Sequence, residues 1–205
     1  MEIGTILHGF LLENIQQVPD LHATAYRFAH EKSGARLLWL SNDDIEKAFS
    51  IGFKTIPQDN TGVFHILEHS VLCGSDKYPV KEPFVDLLKT SMQTFLNAMT
   101  FPDKTMYPVA SPNEKDFLNL IGVYMDAVLH PRIYQKKEIF MQEGWHLELP
   151  EDGAPAFNGV VYNEMKGVYS NADSLLDEYL NRAMFPDTTY SSNSGGWPAE
   201  IPTLT

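Results

Sequence analysis

The first third of the chain alternates apolar and polar side chains with the period of two that a half-buried strand requires. Residues 9–15 form a candidate first strand. Over residues 23–28, Ala23, Ala25 and Arg27 alternate with Tyr26 and Phe28. Glu31-Lys32-Ser33-Gly34 supplies a hairpin turn into a further strand at 36–40. In the next run Phe49, Ile51 and Phe53 share one face, with Ser50 and Gly52 on the other. The pattern predicts an antiparallel meander.

The period then lengthens to that of a helix. A helical stretch spans 62–73, with Gln58-Asp59-Asn60-Thr61 offering N-caps and Gly74 a C-terminal stop. A second helix fits 82–93, with Pro83 near its first turn. Residues 94–109 read as two short strands around Phe101-Pro102-Asp103-Lys104. Ser111-Pro112-Asn113-Glu114 has the form of a capping box, and Phe117, Ile121, Tyr124 and Val128 follow at helical spacing. A helix at 135–144 leads into a strand at 146–149, and 159–184 is helical again. The tail at 191–198 is loop-like, and the chain stops at Leu204-Thr205 without a closing element, as a piece of a longer polypeptide would. There is no internal repeat. The predicted class is α+β, a largely antiparallel sheet with helices packed on one face, over a single domain spanning 1–205.

Composition narrows the function. An apolar share of 43%, with 12% aromatic residues, supports a packed core and excludes a disordered chain. A formal charge of −12 excludes a general nucleic-acid binder, which needs a basic surface to displace counterions. The same charge suits a cationic peptide partner, or simply keeps the chain in solution. The single cysteine, Cys73, excludes a disulfide framework and a Cys-rich zinc module. Met1-Glu2-Ile3-Gly4 has no basic n-region or apolar h-region, and no uncharged apolar run approaches the roughly 18 residues of a membrane span. The expected compartment is cytoplasm, without a membrane partner; import into an organelle stays open if residues before Met1 are removed.

The segment that carries chemistry is His65-Ile66-Leu67-Glu68-His69. At about 100° per residue, the two histidines leave a helix on adjacent turns, about 40° apart. Both can bind one metal. Glu68 lies on the flank of that face. His-Glu-x-x-His places its glutamate one residue after the first histidine; here it stands one before the second, the same set read backwards. Neutral imidazoles suit zinc, and a catalytic zinc takes three protein ligands and keeps one position open. A nearby carboxylate then removes a proton from water. By chance the pentapeptide arises in about one to two chains per hundred of this composition, so a surface helix with two incidental histidines competes with this reading.

A third ligand must come from elsewhere. Glu164, in Asn163-Glu164-Met165-Lys166-Gly167, would complete a His₂Glu set from another helix, although it is one of 14 glutamates. Cys73 sits close enough to invite a ligand role, but a small buried or half-buried thiol fits it better. Leu72, Phe84 and Leu88 could line an apolar pocket or belong to the core. His8, His22, His30, His130 and His146 have no ligand spacing.

Four segments in this order resemble the pitrilysin-type (inverzincin) metallopeptidases, in particular the presequence-protease and falcilysin branch. They are His65 to Ser75 (HILEHSVLCGS), Phe95 to Val109 (FLNAMTFPDKTMYPV), Glu143-Gly144-Trp145, and Gly159 to Gly167 (GVVYNEMKG). The likeness runs from about residue 8 to the end. It implies a pitrilysin or mitochondrial-processing-peptidase-like fold and a Zn²⁺ held by His65, His69 and Glu164. Glu68 would be the general base. Asn97 and Ala98 would fall on an edge strand that takes an unfolded peptide as an added strand. Glu143 would be either a carboxylate behind a ligand or an ordinary charge at a helix end.

The family builds its enzymes from two halves of two related domains each, closing around the peptide, and this chain resembles only the first domain. The implied function is a zinc endopeptidase domain for unstructured oligopeptides, weakly active or inactive without the C-terminal half of its own polypeptide, whose Arg and Tyr help stabilise the oxyanion in the family. The alternatives are a non-catalytic peptide-binding or structural module of the same fold, and another zinc hydrolase on a similar fold.

Overall fold

The computed structural model describes residues 1–81, 83–151 and 153–205, which fall into two compact units, Met1–Ile45 and Glu46–Thr205. The first unit is a four-stranded antiparallel sheet in the order of the chain. Its strands are β1 (Ile6–Leu7), β2 (Phe10–Val18), β3 (Ala23–His30) and β4 (Arg36–Ser41). Leu12, Ala23 and Phe28 are its buried apolar residues. The expected hairpin at 31–34 is present, closed by the Gly34 amide donating to the His30 carbonyl at 2.8 Å.

The fourth and last strand of the expected meander goes elsewhere. β5 (Lys47–Lys54) opens the second unit. Two helices follow, α1 (Val63–Val71) and α2 (Pro83–Thr90), and then β6 (Phe95–Leu96), β7 (Met99–Thr100) and β8 (Lys104–Ser111). β5 pairs antiparallel with β8 over its whole length, from Lys47 opposite Ser111 to Lys54 opposite Lys104. Alternation marks a strand without naming its partner, and the partner here lies 50 residues on. β6 and β7 flank the other side of β8, so the order is β5-β8-β6/β7.

The remaining elements are α3 (Glu114–Leu129), α4 (Lys137–Glu143), β9 (His146–Glu148), β10 (Ala156–Asn158), α5 (Val160–Val168) and α6 (Ala172–Met184). Tyr107 and Val109 of β8 alternate onto one face. They pack there with Val71 of α1, Leu87 of α2, and Leu120, Val123 and Tyr124 of α3. Phe49 and Ile51 of β5 join this core, as their alternation predicts. A second core joins Ile66 of α1 to Val161 and Met165 of α5 and to Ile201 near the C-terminus. Opposite faces of α1 thus serve two cores, which fixes the helix axially and in rotation. The architecture is α+β with antiparallel sheets and packed helices.

Several boundaries differ from the expectation. Asn113 caps α3, its side chain accepting from the Asp116 amide at 3.0 Å, so the capping box on Ser111 is not formed and Pro112 precedes the cap. α1 has no side-chain cap at all; Gly62 stands at its start, and Asp59 instead accepts from the Thr61 amide and hydroxyl at 2.9 and 2.6 Å. The long helix at 159–184 is divided at Asn171, which caps α6 by accepting from the Asp173 amide. α2 ends at Thr90 rather than 93, and its expected first residue, Glu82, lies outside the described residues. Among the described residues no helix is long and apolar enough to cross a membrane.

Candidate metal centre

α1 presents His65 and His69 on adjacent turns, with ring centroids 4.9 Å apart. α5 brings Glu164 to them from the side. Its Oε2 lies 3.6 Å from His65 Nε2 and 3.7 Å from His69 Nε2. One ligand atom from each of the three residues falls within 4.8 Å of the others, the geometry of a group that could hold a metal ion. Tetrahedral ligands at zinc bond lengths of about 2.0–2.1 Å stand roughly 3.3–3.4 Å apart. The glutamate-to-imidazole separations exceed this by a few tenths of an ångström.

The hydrogen bonds behind the imidazoles decide which nitrogens face the site. His65 Nδ1 lies 2.9 Å from the Gly195 carbonyl, and His69 Nδ1 lies 3.3 Å from Glu143 Oε2. Both partners can only accept, so each Nδ1 carries its proton, and in the neutral ring each Nε2 keeps its lone pair on the side of Glu164. A metal needs that tautomer.

Glu143 ends α4 and meets His69 from behind the ring. It is buried, and Gln142 Nε2 and Cys73 Sγ also donate to it, at 2.7 and 3.3 Å. Burial alone would raise its pKa, but the hydrogen bonds from His69, Gln142 and Cys73 and the His69 charge hold the carboxyl below 4.5. For His69, burial pushes the pKa down; the bond to Glu143 and the charges of Glu68, Glu164 and Glu143 push it up and prevail. Three carboxylates around two imidazoles thus make a site that favours positive charge. Cys73 is half-buried and outside the donor group.

Glu68 is buried on the flank of the same helix and opens onto the same cleft, of about 820 Å³. Thr100 of β7 donates to its Oε2 at 2.6 Å. Sequence reasoning passed over this threonine, although it sits in one of the recognised segments. It also missed the Gly195 carbonyl, since a backbone acceptor leaves no mark in the residue types.

Asn97 and Ala98 line the cleft in the two-residue break between β6 and β7, along the edge of the sheet. The β6 and β7 registers are continuous across them, which sets Asn97 opposite Pro108. The Asn97 amide donates to the Pro108 carbonyl at 3.1 Å. Proline has no amide to return, and the Asn97 carbonyl accepts from the Tyr124 hydroxyl at 3.3 Å instead. By strand alternation the Ala98 amide points away from β8, where Asn97 Oδ1 accepts from it at 2.9 Å. Leu72 and Phe84 also line the cleft, whereas Leu88 does not and is exposed.

Fold and donor set together define a domain of metallopeptidase type. Residues 50–195 match the family model described as insulinase (peptidase family M16), and the chain belongs to that family. It is 58% identical over 204 residues to protein HypA of Clostridium perfringens, covering 98% of this chain and 21% of that protein. It is 51% identical over 198 residues to presequence protease 1, chloroplastic/mitochondrial, of Arabidopsis thaliana, covering 96% and 18%. The crystal structure of pitrilysin superposes with a TM-score of 0.67 at 18% identity, covering 94% of this chain and 19% of that one, a likeness of fold. The chain spans about a fifth of the length of the relatives it matches.

Proposed function

We propose that this chain is the zinc-binding, catalytic N-terminal domain of a longer endopeptidase that hydrolyses unfolded oligopeptides. The observation that carries the reading is the convergence of His65 Nε2, His69 Nε2 and a Glu164 oxygen, with both Nδ1 atoms already within hydrogen-bond distance of an acceptor. His65, His69 and Glu164 would hold the zinc. Bound there, it supplies a Lewis acid that polarises a peptide carbonyl and lowers the pKa of water. Glu68 takes the proton of the attacking water and returns it to the leaving amine. Thr100 holds one oxygen of Glu68, whose side chain lines the cleft.

The sheet edge at Asn97-Ala98 receives the substrate as an added strand, reading its main chain rather than its sequence. The incoming carbonyl takes the Ala98 amide from Asn97 Oδ1, so the Asn97 side chain turns aside as the peptide enters. Glu68, Glu143 and Glu164 make the cleft acidic, which suits a cationic peptide. Alone, the domain lacks the half of its polypeptide that would enclose the peptide and stabilise the oxyanion, so it turns over slowly or not at all.

The test compares cleavage of an unstructured cationic peptide by the full-length polypeptide and by its Glu68→Gln variant. The variant should keep its zinc and lose about 10²–10⁴-fold in rate. Undiminished cleavage would remove Glu68 from the mechanism. Stoichiometric zinc without hydrolysis of any unstructured peptide would favour a non-catalytic peptide-binding module.

A further inference from the structure

Residues 193–197 return to the start of α1. The Trp197 amide donates to the Asn60 carbonyl at 2.7 Å, and the Asn193 amide to Asn60 Oδ1 at 2.8 Å. Asn193 is buried and uses both ends of its side chain. Its Oδ1 accepts from the Gly196 amide at 2.8 Å. Its Nδ2 donates to the Tyr169 hydroxyl and, at 2.8 Å, to Glu178 Oε2 on α6. Glu178 is held in turn by Arg182 at 2.7 Å, and the Arg182 guanidinium lies 5.1 Å from the Trp197 ring centroid.

The segment so anchored lays the Gly195 carbonyl against His65 Nδ1. The approach depends on Gly62, whose φ is +69° and where an added Cβ would meet the Gly195 oxygen at 2.7 Å. Gly195 itself rests on Met165, the neighbour of Glu164, at 2.8 Å from the position its Cβ would take. The loop therefore touches both helices that carry the donor atoms.

We propose that residues 193–197 form a strap that sets the tautomer and ring orientation of His65 through the Gly195 carbonyl, with Asn193 as its positioning residue. The strap deepens the zinc reading and rests on it for its effect on metal affinity, but not for its effect on the imidazole. With the Gly195 carbonyl in place, the proton sits on Nδ1 and the lone pair on Nε2 before any ion arrives. Without it, the ring divides between tautomers and rotates, and the ion must order it.

The test has two arms on the whole chain. In the metal-free chain at pH 8, histidine ¹⁵N spectra should show His65 protonated on Nδ1, a reading that needs no variant to fold. Protonation on Nε2 in the wild-type chain would overturn the strap. In the second arm zinc affinity is read by competition with a chelator. Asn193→Ala and Gly62→Ala should each weaken zinc by about 10–100-fold, the usual range for losing an orienting partner. Asn113→Ala, which uncaps α3 away from the strap, should leave zinc affinity unchanged. Equal affinity in folded Asn193→Ala and wild type, or equal loss in Asn113→Ala, would refute the positioning role. A wild-type chain that binds no zinc would refute the metal site instead, and the ¹⁵N spectra would still decide the strap.

Discussion

The Thr100 hydroxyl donates a 2.6 Å hydrogen bond to the buried carboxylate of Glu68. β7 and α1 are thereby joined at the one residue to which the proton transfer is assigned. Thr100 Oγ1 also lies 3.5 Å from the buried Thr105 hydroxyl, which pairs with Thr55 at 2.8 Å. Replacing Thr100 by Val removes the donor and keeps the shape. Hydrogen bonds to charged groups contribute about 1.5–3 kcal/mol. Urea unfolding of the metal-free chain should show a loss of that size for Thr100→Val and a small one for Thr100→Ser. Equal stability of all three would mean that the bond contributes nothing.

Glu143→Ala should weaken zinc by about 10–100-fold, because His69 loses the acceptor for its Nδ1 proton. Chelator competition reads this directly. An unchanged affinity would return Glu143 to the role of an ordinary helix-end charge.

Gly159 stands at the entry to α5, with φ +157°, and an added Cβ would meet the Gly144 carbonyl oxygen at 2.3 Å. No side chain fits that distance, so Gly159→Ala must displace α5 from the end of α4 and carry Glu164 with it. Overpacking of this kind costs about 1–3 kcal/mol, occasionally more. The expected result is a lower urea midpoint together with weaker zinc binding. Wild-type values for both would show that the backbone yields without moving Glu164.

Asp126 of α3 is buried and accepts from the Lys77 amide at 2.8 Å, fixing the loop between α1 and α2. Burial alone would raise its pKa; hydrogen bonding and the charges of Lys77 and His130 hold it below 3.8. A carboxyl with a depressed folded pKa stabilises fully above its unfolded value, near pH 4, and the contribution is lost as pH falls through the folded value. The stability difference between wild type and Asp126→Asn should therefore be constant above about pH 5 and shrink below pH 4. A difference independent of pH would show that Asp126 is not ionised in the fold.

How much of this was legible in the sequence depended on how local each feature is. His65, Glu68 and His69 lie within two turns of one helix, so spacing alone placed them on one side. Glu164 lies 95 residues away, and only the packing of Val161 and Met165 against Ile66 makes it a neighbour. Its place came from resemblance, since nothing in spacing separates it from the other glutamates. Strand β5 was recognised by alternation, but its pairing with β8 is set by the shared core of Phe49, Ile51, Tyr107 and Val109. The cap of α3 slipped by two residues because Ser111 and Asn113 are both good caps, and the Ser111 hydroxyl instead accepts from the Asn113 amide at 3.3 Å. The Gly195 carbonyl had no signature at all, because any residue type carries one.

The measurement that bears most directly on the account is elemental analysis of the purified chain after exhaustive dialysis, alongside His65→Ala, His69→Ala and Glu164→Ala. One zinc per wild-type chain and none in the histidine variants, with depletion in Glu164→Ala, is the predicted result. A wild-type chain without zinc, or one whose zinc survives the loss of Glu164 undiminished, would contradict it.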